Sequence, residues 1–547
     1  MASHGSNKSE TQNHLYYGDN LQVLRDSIAT ESVDLVYLDP PFNSQANYNV
    51  LFRSPTGMQS QAQIEAFEDT WHWNDVAEKA FDEVMTCGNS DVAEMLRALR
   101  VFLKENDMMA YLTMMAVRLI ELHRVLNPTG SLYLHCDPTA SHYLKVLLDG
   151  IFGADMFRNE ITWKRTTTHS DSKTWSRVSD SIFFYTKGRT FTWNTPRDAH
   201  SDEYIADKYR YDDGDGKLYR HDNMTSPNPR PNMMYEWKGF PFPDKGWRYS
   251  KETMAKLDAD GRIYYPTLKD GSLDTTKRPS LKRYLDEMSG GIMGDVWTDI
   301  SPINSQAQER LGYPTQKPLT LLERIILASS SEGDVILDPF CGCGTAVHAA
   351  QKLDRHWIGI DVTHLAISLI ERRLKDAFPG TKFDVHGTPK DIDGARALAA
   401  QDKYQFQWWA VSLVDAIPYG GKEKGADSGI DGIIYFKPDG KMTEKAVVSV
   451  KGGDNVGVPM VRDLGHVIDR EKAKVGVFIT LTEPTKPMEI EAVKAGYYVT
   501  EHGKFPKIQI LTIADMFAGK KPQLPWVDPA SFRKAAEELR EKQERLF

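Results

Sequence analysis

Short apolar runs that alternate with amphipathic stretches constrain the fold of this 547-residue chain more than any other feature of its sequence. The run Val33–Leu38 follows a helical pattern at Asn20–Ser27. The same elements return later, where the run Val335–Leu337 precedes a helical pattern at Thr345–Lys352. Short apolar runs bounded by turn residues are typical of strands buried in a parallel sheet. Their alternation with helices predicts an α/β fold, with a mostly parallel sheet covered on both faces.

Composition and charge narrow the class of protein. Hydrophobic residues make up 41% of the chain and charged residues 26%, which is ordinary for a soluble globular protein. There is no apolar run of roughly eighteen residues and no signal-peptide pattern, so we expect a cytoplasmic protein that does not bind membranes. Four cysteines without a CxxC pair, and no histidine cluster at metal spacing, argue against a disulfide framework or a structural zinc site. The net charge of −9 excludes a generally basic nucleic-acid coat, although residues 160–317 carry slightly more Lys and Arg than Asp and Glu.

The tetrapeptide Asp39-Pro40-Pro41-Phe42 lies where the apolar run Val33–Leu38 ends. Open α/β sheets bind ligands at the carboxyl ends of their strands. The two prolines lack backbone N–H groups, so this turn offers hydrogen-bond acceptors without competing donors. The Asp39 carboxylate and the Pro40 carbonyl can accept hydrogens from an exocyclic amine while Phe42 stacks on its ring. We therefore expect this turn to hold a flat ring that carries an amino group, such as a nucleobase.

A second turn, rich in glycine, follows the run Val335–Leu337. It reads Asp338-Pro339-Phe340-Cys341-Gly342-Cys343-Gly344-Thr345 and opens a helix, and Asp361 ends the next predicted strand. Glycines let a backbone approach a ligand closely, and an acidic residue at a strand tip can bind a ribose hydroxyl pair. The third glycine of a GxGxxG nicotinamide site is absent, as is a P-loop. Taken alone, the turn also fits a purely structural role.

The two turns, in this order and with Tyr313-Pro314-Thr315-Gln316-Lys317-Pro318 between them, resemble the DNA amino-methyltransferases of the permuted β group. In that group the catalytic motif precedes the cofactor motif. The stretches Phe67–Trp73 and Gly130–Asp137 add further matches. The resemblance covers residues 15–390. It implies a Rossmann-like sheet that uses S-adenosyl-L-methionine to methylate an exocyclic amine in double-stranded DNA.

The resemblance also implies a role for each motif residue. The catalytic clamp would consist of Asp39, Pro40, Pro41 and Phe42. The cofactor would be held by Asp338, Phe340, Gly342 and Gly344 around its methionine part, with Thr345 beside them, by Asp361 at its ribose, and by Thr315, Lys317 and Pro318, which close the pocket. Methyl transfer would require no metal.

The part of the chain after residue 400 resembles the Mrr-like branch of the PD-(D/E)xK nucleases. Asp431 and Lys451 match the nuclease pattern, whereas Ser449 stands where that family has Glu or Gln. A serine hydroxyl is a poor substitute for the anionic oxygen that Mg2+ favours. We therefore expect a degenerate domain that holds DNA or a partner. The alternative is an active nuclease with Mg2+ as its cofactor.

Together the two resemblances predict the order of domains and the activity. The predicted domains are a disordered N-terminus at 1–14, a catalytic half at 15–165, a target-recognition region at 166–300, a cofactor-binding half at 301–390, a restriction-endonuclease-like α/β domain at 400–515 and a charged helix at 528–547. The predicted activity is site-specific methylation of adenine N6 by base flipping, because Asp at the first clamp position goes mostly with adenine in that family. The alternatives are N4-cytosine methylation, or a fused restriction–modification enzyme that also cleaves DNA. Members of the permuted group often pair, which makes a homodimer one expected state, but the sequence does not fix the oligomeric state.

Overall fold

The computed structural model describes residues 13–525 except 42–46, 54–58, 69–71, 169–172, 199–201, 289, 305–306, 308, 312, 314, 420–428 and 440–441. For the strands Asn47–Arg53 and Gln59–Glu68, which pair antiparallel, it describes the backbone alone. The predictions for Phe42, for residues 1–12 and for the helix at 528–547 therefore lie outside the described residues. His14 was expected in a disordered terminus, but it begins the first strand of the sheet.

A nine-stranded sheet forms the centre of the first part of the chain. Across the sheet the strands are Val296–Trp297, Phe157–Lys164, Ser179–Thr186, Leu126–Cys136, Val33–Leu38, Val335–Asp338, His356–Asp361, His14–Tyr17 and Asp384–His386. Neighbouring strands are parallel except in the two pairs that involve Ser179–Thr186. The predicted α/β class, with a mostly parallel sheet, is confirmed.

Helices cover the two faces of this sheet and bury separate apolar clusters against it. They are Asn20–Ser27, Asp75–Thr86, Ser90–Leu103, Asp107–Val125, Ser141–Phe152, Leu319–Ser329, Thr345–Lys352 and His364–Ala377, with a 3-10 turn at Ala154–Met156. The Asp19 carboxylate caps the first helix by accepting the N–H of Leu21 at 2.8 Å. The apolar runs become strands because both of their faces are covered, which matches their nearly continuous burial.

Residues 195–294 form a compact unit of their own. Its antiparallel sheet has the order Ile263–Tyr264, Ser280–Tyr284, Leu218–Asn223 and Tyr211–Asp212, and Arg197–Asp198 pairs with Gly291–Ile292. Its helices are Asp202–Lys208 and Lys251–Ala259, with 3-10 turns at Pro231–Met233 and Leu285–Glu287. A small core around Trp237, Phe240 and Trp247 holds it together. The unit is shorter than the predicted region 166–300, because Ser179–Thr186 and Val296–Trp297 belong to the large sheet.

The part of the chain after residue 391 contains a five-stranded sheet. Its strands are Ile417–Pro418, Gly432–Phe436, Glu444–Lys451, Val475–Thr480 and Ile508–Thr512, in that order. The first two pairs are antiparallel and the last two parallel. Helices Ile392–Gln401, Lys403–Leu413, Val458–Arg470, Lys486–Lys494 and Ile513–Phe517 accompany it, with a hairpin of Tyr497–Thr500 and Gly503–Pro506. None of the helices in the described ranges is long and apolar enough to cross a membrane.

Candidate active site

A cavity of about 300 Å3 opens at the carboxyl ends of the adjacent strands Val33–Leu38 and Val335–Asp338. It gathers nine of the residues predicted for the clamp and the cofactor: Asp39, Pro41, Thr315, Lys317, Asp338, Phe340, Gly342, Thr345 and Asp361. Three other predicted residues, Pro40, Pro318 and Gly344, adjoin lining residues in sequence without lining the cavity themselves. Two turns that lie about 300 positions apart in the chain therefore share one cavity, as expected at one edge of a parallel sheet.

Asp39 and Lys317 form an ion pair inside this cavity. The Lys317 ammonium donates to Oδ2 of Asp39. The side chain of Lys317 is only 10% exposed and that of Asp39 only 16%. The other carboxylate oxygen, Oδ1, is buried and has no hydrogen-bond partner among the described residues. A buried acceptor without a partner costs free energy unless a ligand donates to it. The pair therefore leaves one fixed acceptor available in the cavity.

Asp338 and Asp361 are two buried acidic residues of the cavity. Burial raises the pKa of Asp338 well above its usual range, and the neighbouring carboxylates of Asp39 and Asp361 add to the effect. Burial likewise raises the pKa of Asp361 to about 6, although donors from Thr363 and Gly342 oppose the shift. Asp361 accepts the Gly342 N–H at 3.0 Å and the Thr363 hydroxyl at 2.9 Å. Its Oδ1 also accepts the Thr363 N–H at 2.9 Å, so the two Thr363 donors occupy Oδ1, and Oδ2 is the oxygen better placed for a ligand hydroxyl.

Two glycines of the second turn are required by its geometry. Gly342 and Gly344 have φ values of +49° and +73°, in the left-handed region that side chains disfavour. A Cβ at Gly344 would lie 2.7 Å from the Ile370 side chain, and one at Gly342 would lie 3.1 Å from the Tyr313 ring. Gly344 is the N-cap of the helix Thr345–Lys352. The tight turn thus brings its backbone close to the cavity.

Four further lining residues were not predicted, three at the start of the first helix and one on the helix Asp107–Val125. Gly18, Asp19, Asn20 and Arg118 also line the cavity. The Arg118 guanidinium donates to Asn20 Oδ1 at 2.6 Å and to Asp19 Oδ2 at 3.1 Å. Asn20 in turn donates to the carbonyl of Pro339 at 2.8 Å. This network holds the second turn in place. The sequence Gly18-Asp19-Asn20 lies at a strand end, and this position could have identified these residues as part of the site.

A buried polar chain leads away from the cavity on the side of the clamp. Tyr37 lines the cavity, and its hydroxyl lies 3.0 Å from Nδ1 of His135. Nε2 of His135 lies 3.1 Å from Oδ2 of Asp180, and the side chains of this second pair are 0% and 2% exposed. Burial raises the pKa of Tyr37 well above its usual range. These contacts hold the ring of Tyr37 in place, and Tyr37 lies two residues before Asp39 in the sequence.

The outer wall of the cavity rests on the helix Lys403–Leu413, which follows the large sheet in sequence. Trp408 packs with Tyr313, Cys343, Leu365 and Ala366 in one buried cluster. The side chain of Gln405 accepts the N–H of His364 at 3.1 Å, at the start of the helix that follows Asp361. The C-terminal part of the chain therefore supports both the glycine turn and the Asp361 loop.

Comparison with known families agrees with this arrangement. A sequence model of the N6/N4 DNA methylase family matches residues 33–372, which is more than half of the chain. The chain belongs to this DNA methylase family. A second family model, of Mrr-type restriction endonucleases, matches residues 398–501 of the same chain. Both family resemblances drawn from the motifs are confirmed.

Individual relatives of the methylase come from restriction–modification systems. The type II methyltransferase M.EcaI of Enterobacter cloacae is 35% identical over 269 residues, which cover 48% of this chain and 57% of that protein. The Mod subunit of the type III enzyme StyLTI of Salmonella typhimurium is 25% identical over 366 residues, 62% of this chain and 49% of its own. The chain thus spans about half the length of these relatives. The solved PvuII DNA methyltransferase (cytosine-N4-specific) is 11% identical, with a TM-score of 0.34 over 66% of this chain and 86% of that one.

The predicted nuclease residues lie together in the five-stranded sheet of the methylase. Asp431 is buried beside the strand Glu444–Lys451, where its Oδ2 accepts the N–H of Val450 at 2.6 Å. Ser449 is also buried, and Lys451 ends the same strand. Within the described ranges, these residues are not part of any group of three His, Cys, Asp or Glu side chains that could hold an ion. The donor set therefore does not fit Mg2+.

Proposed function

We propose that the methylase transfers a methyl group from S-adenosyl-L-methionine to the exocyclic N6 of adenine in duplex DNA. One observation carries this proposal. The Asp39 carboxylate has one oxygen held by Lys317 and the other buried without a partner among the described residues, in the cavity that also contains Asp361 and the glycine turn. An oxygen in this state fits a ligand N–H.

The chemistry of the cavity suits this cofactor. S-adenosyl-L-methionine would supply a methyl group bonded to a positively charged sulfur. Above about pH 6 the Asp361 carboxylate would favour a ligand with positive charge on its sulfonium and ammonium groups. Asp361 at the tip of its strand suits a ribose hydroxyl, and Gly342 and Phe340 line the cavity beside it. Lys317 and Thr315 would close the cavity at its rim.

The clamp residues would position the target amine. An amine inside a base pair cannot reach the cavity, so the base must leave the duplex, at a cost of a few kcal/mol. Asp39 Oδ1 would accept one amine hydrogen and the Pro40 carbonyl the other, which directs the nitrogen lone pair away from the ring. Lys317 would hold Asp39 in this orientation. Good alignment alone can lower a barrier by roughly 7–11 kcal/mol.

The choice of adenine rests on Asp39 and the family pattern, and cytosine N4 is the alternative. Residues 166–300 would read the base sequence, as the position of this region between the two motif groups suggests. Mass spectrometry of nucleosides from DNA of a host that expresses the chain separates the two bases. N6-methyladenine is the expected product, and N4-methylcytosine alone would refute the adenine assignment. Modification-sensitive sequencing of the same DNA gives the recognition site.

The role of the clamp is tested by Asp39→Ala and Lys317→Met. We expect Asp39→Ala to lower methyl incorporation by about 100-fold or more, since a positioned polar group in an active site is typically worth that much. Its cofactor Kd should stay within about threefold of wild type, which is below 1 kcal/mol. Lys317→Met should also impair transfer, because Asp39 loses its partner. Lys352→Met is the matched control, since that lysine pairs with Glu323 outside the cavity. Wild-type methyl incorporation by Asp39→Ala would disprove the assignment.

A further inference from the structure

Two histidines and an aspartate meet at the edge of the large sheet, away from the cavity. His14 begins the strand His14–Tyr17, and Asp384 and His386 belong to the neighbouring strand Asp384–His386. The two strands are parallel, with His14 opposite Asp384 and Tyr16 opposite His386. The sequence analysis found no histidine cluster because the two histidines lie 372 positions apart. Strand pairing brings these side chains together in the fold.

The possible ligand atoms of the three side chains lie close to one another. Nδ1 of His14 lies 3.1 Å from Nε2 of His386 and 3.9 Å from Oδ2 of Asp384. One ligand atom from each residue lies within 4.8 Å of the others, and these three form the only such group in the described parts of the chain. A zinc ion holds its nitrogen and oxygen ligands at about 2.0–2.2 Å, so two ligands of one ion lie roughly 3–4 Å apart. The observed separations match that range.

The surroundings hold these side chains in place and leave them accessible. The Tyr16 ring stacks on His386 with centroids 4.5 Å apart and an 18° angle between the planes. The N–H of Asp384 donates to the carbonyl of Asn13 at 3.0 Å, next to His14. The side chains of His14 and Asp384 are 21% and 43% exposed, so an ion can enter from solvent. Strand pairing therefore builds the group without help from a ligand.

We propose that His14, Asp384 and His386 bind one divalent transition-metal ion, for which Zn2+ is the best match. Two imidazoles with one carboxylate suit Zn2+, Co2+ or Ni2+, whereas Mg2+ favours oxygen ligands alone. Three protein ligands leave a coordination position for water. The ion would tie the three-residue edge strand to His14–Tyr17, whose other end leads to Gly18 and the cavity. The proposal is independent of the methyltransferase activity.

The test uses the full chain, freed of metal with a chelator and then titrated with ZnCl2. Isothermal titration should give one site per chain, and the thermal midpoint should rise by several degrees at saturation, since a ligand of the folded state stabilises it. Co2+ should give a visible d–d absorption band typical of nitrogen ligation. His386→Ala and the isosteric Asp384→Asn should each weaken binding at least tenfold while their circular dichroism remains that of wild type.

His502→Ala is the control, because that histidine lies on an exposed turn away from the group. It should bind Zn2+ like wild type. Absence of one-to-one binding by wild type would mean that the two imidazoles form only a hydrogen bond, and it would overturn the proposal. Equal binding by wild type and His386→Ala would also overturn it, since the ion would then be held elsewhere, for example at the exposed Cys87.

Discussion

The Asp361 carboxyl group offers a direct test of the cavity at the level of one residue. Its pKa lies at about 6, above the ordinary 3.8, chiefly because of burial. The folded chain therefore binds this proton more tightly than the unfolded chain does. It follows that ionisation of Asp361 lowers the free energy of unfolding as the pH rises from 3.8 to about 6, with no further change above that pH. Above pH 6 the group is a carboxylate and can accept ligand hydroxyls.

We expect cofactor affinity to fall as the pH drops below about 6, where Asp361 gains its proton. A single required carboxylate weakens binding by up to roughly tenfold per pH unit below its pKa. Equilibrium dialysis of labelled S-adenosyl-L-methionine between pH 5 and 8 measures this dependence. Asp361→Asn should bind weakly with a flatter pH profile, and Asp338→Asn separates the contribution of the second buried acid. An unchanged profile in Asp361→Asn would exclude Asp361 as the titrating group.

The three motif aspartates of the cavity could be predicted from the sequence because each lies at a strand end. Parallel strands place their carboxyl ends at one edge, so Asp39, Asp338 and Asp361 had to lie near one another. The ion pair between Asp39 and Lys317 could not be predicted, because it depends on the path of the loop before the helix Leu319–Ser329. The contact of Arg118 with Asp19 likewise needs the packing of two helices that are far apart in sequence.

At the level of elements, the helix Lys403–Leu413 packs against both the cavity of the large sheet and the core of the C-terminal sheet. Its Trp408 contacts Tyr313 and Cys343, which line the cavity, while the adjacent Trp409 packs into the core of the C-terminal sheet. Truncating a buried tryptophan to alanine costs about 3–5 kcal/mol. We expect Trp408→Ala to raise the cofactor Kd about tenfold or more, because the wall of the cavity loses its support. Isothermal titration with S-adenosyl-L-methionine measures the change.

Trp409→Ala is the matched control for this prediction. Both tryptophans are buried in the same helix, so both substitutions should lower the thermal midpoint. The Trp409 variant should keep its cofactor Kd within about threefold of wild type, because Trp409 faces the other way. Equal losses of affinity in the two variants would show that general destabilisation, and not the contact with the cavity wall, controls cofactor binding.

Several helices were not predicted from the sequence, and the physical reason differs from one helix to the next. The helix Val458–Arg470 carries buried residues at Val461, Leu464, Val467 and Ile468, a helical spacing that the sequence does contain. In contrast, the helix Ile392–Gln401 buries only Ala395 and Leu398, and two buried residues are too few to show a helical spacing in the sequence. The first of these helices could have been found from spacing alone. The second is stabilised by packing on the helix Lys403–Leu413, which a local pattern does not contain.

At the level of the whole molecule, one chain combines a methylase region with an Mrr-type region whose central residues have changed. Asp431 is occupied by the N–H of Val450, and Ser449 replaces the usual carboxylate or amide side chain. Cleavage of a phosphodiester by such a site needs a metal that activates water. A serine hydroxyl is a weaker ligand for Mg2+ than a carboxylate or an amide oxygen, because Mg2+ is a hard cation. We expect the C-terminal region to have lost the nuclease metal site, while its helix Lys403–Leu413 packs against the wall of the cavity.

We therefore expect the full chain to leave supercoiled plasmid intact in the presence of Mg2+ or Mn2+, whether or not the plasmid carries the methylase's own modification. Unmodified plasmid comes from a host that expresses Asp39→Ala, and agarose gels separate intact, nicked and linear forms. Lys451→Ala should leave methyl incorporation within about threefold of wild type, because Lys451 lies outside the cavity. Cleavage by wild type that disappears in Lys451→Ala would restore the nuclease alternative. Methylation that fails in Lys451→Ala, with the fold preserved, would instead mean that this strand takes part in holding the DNA for transfer.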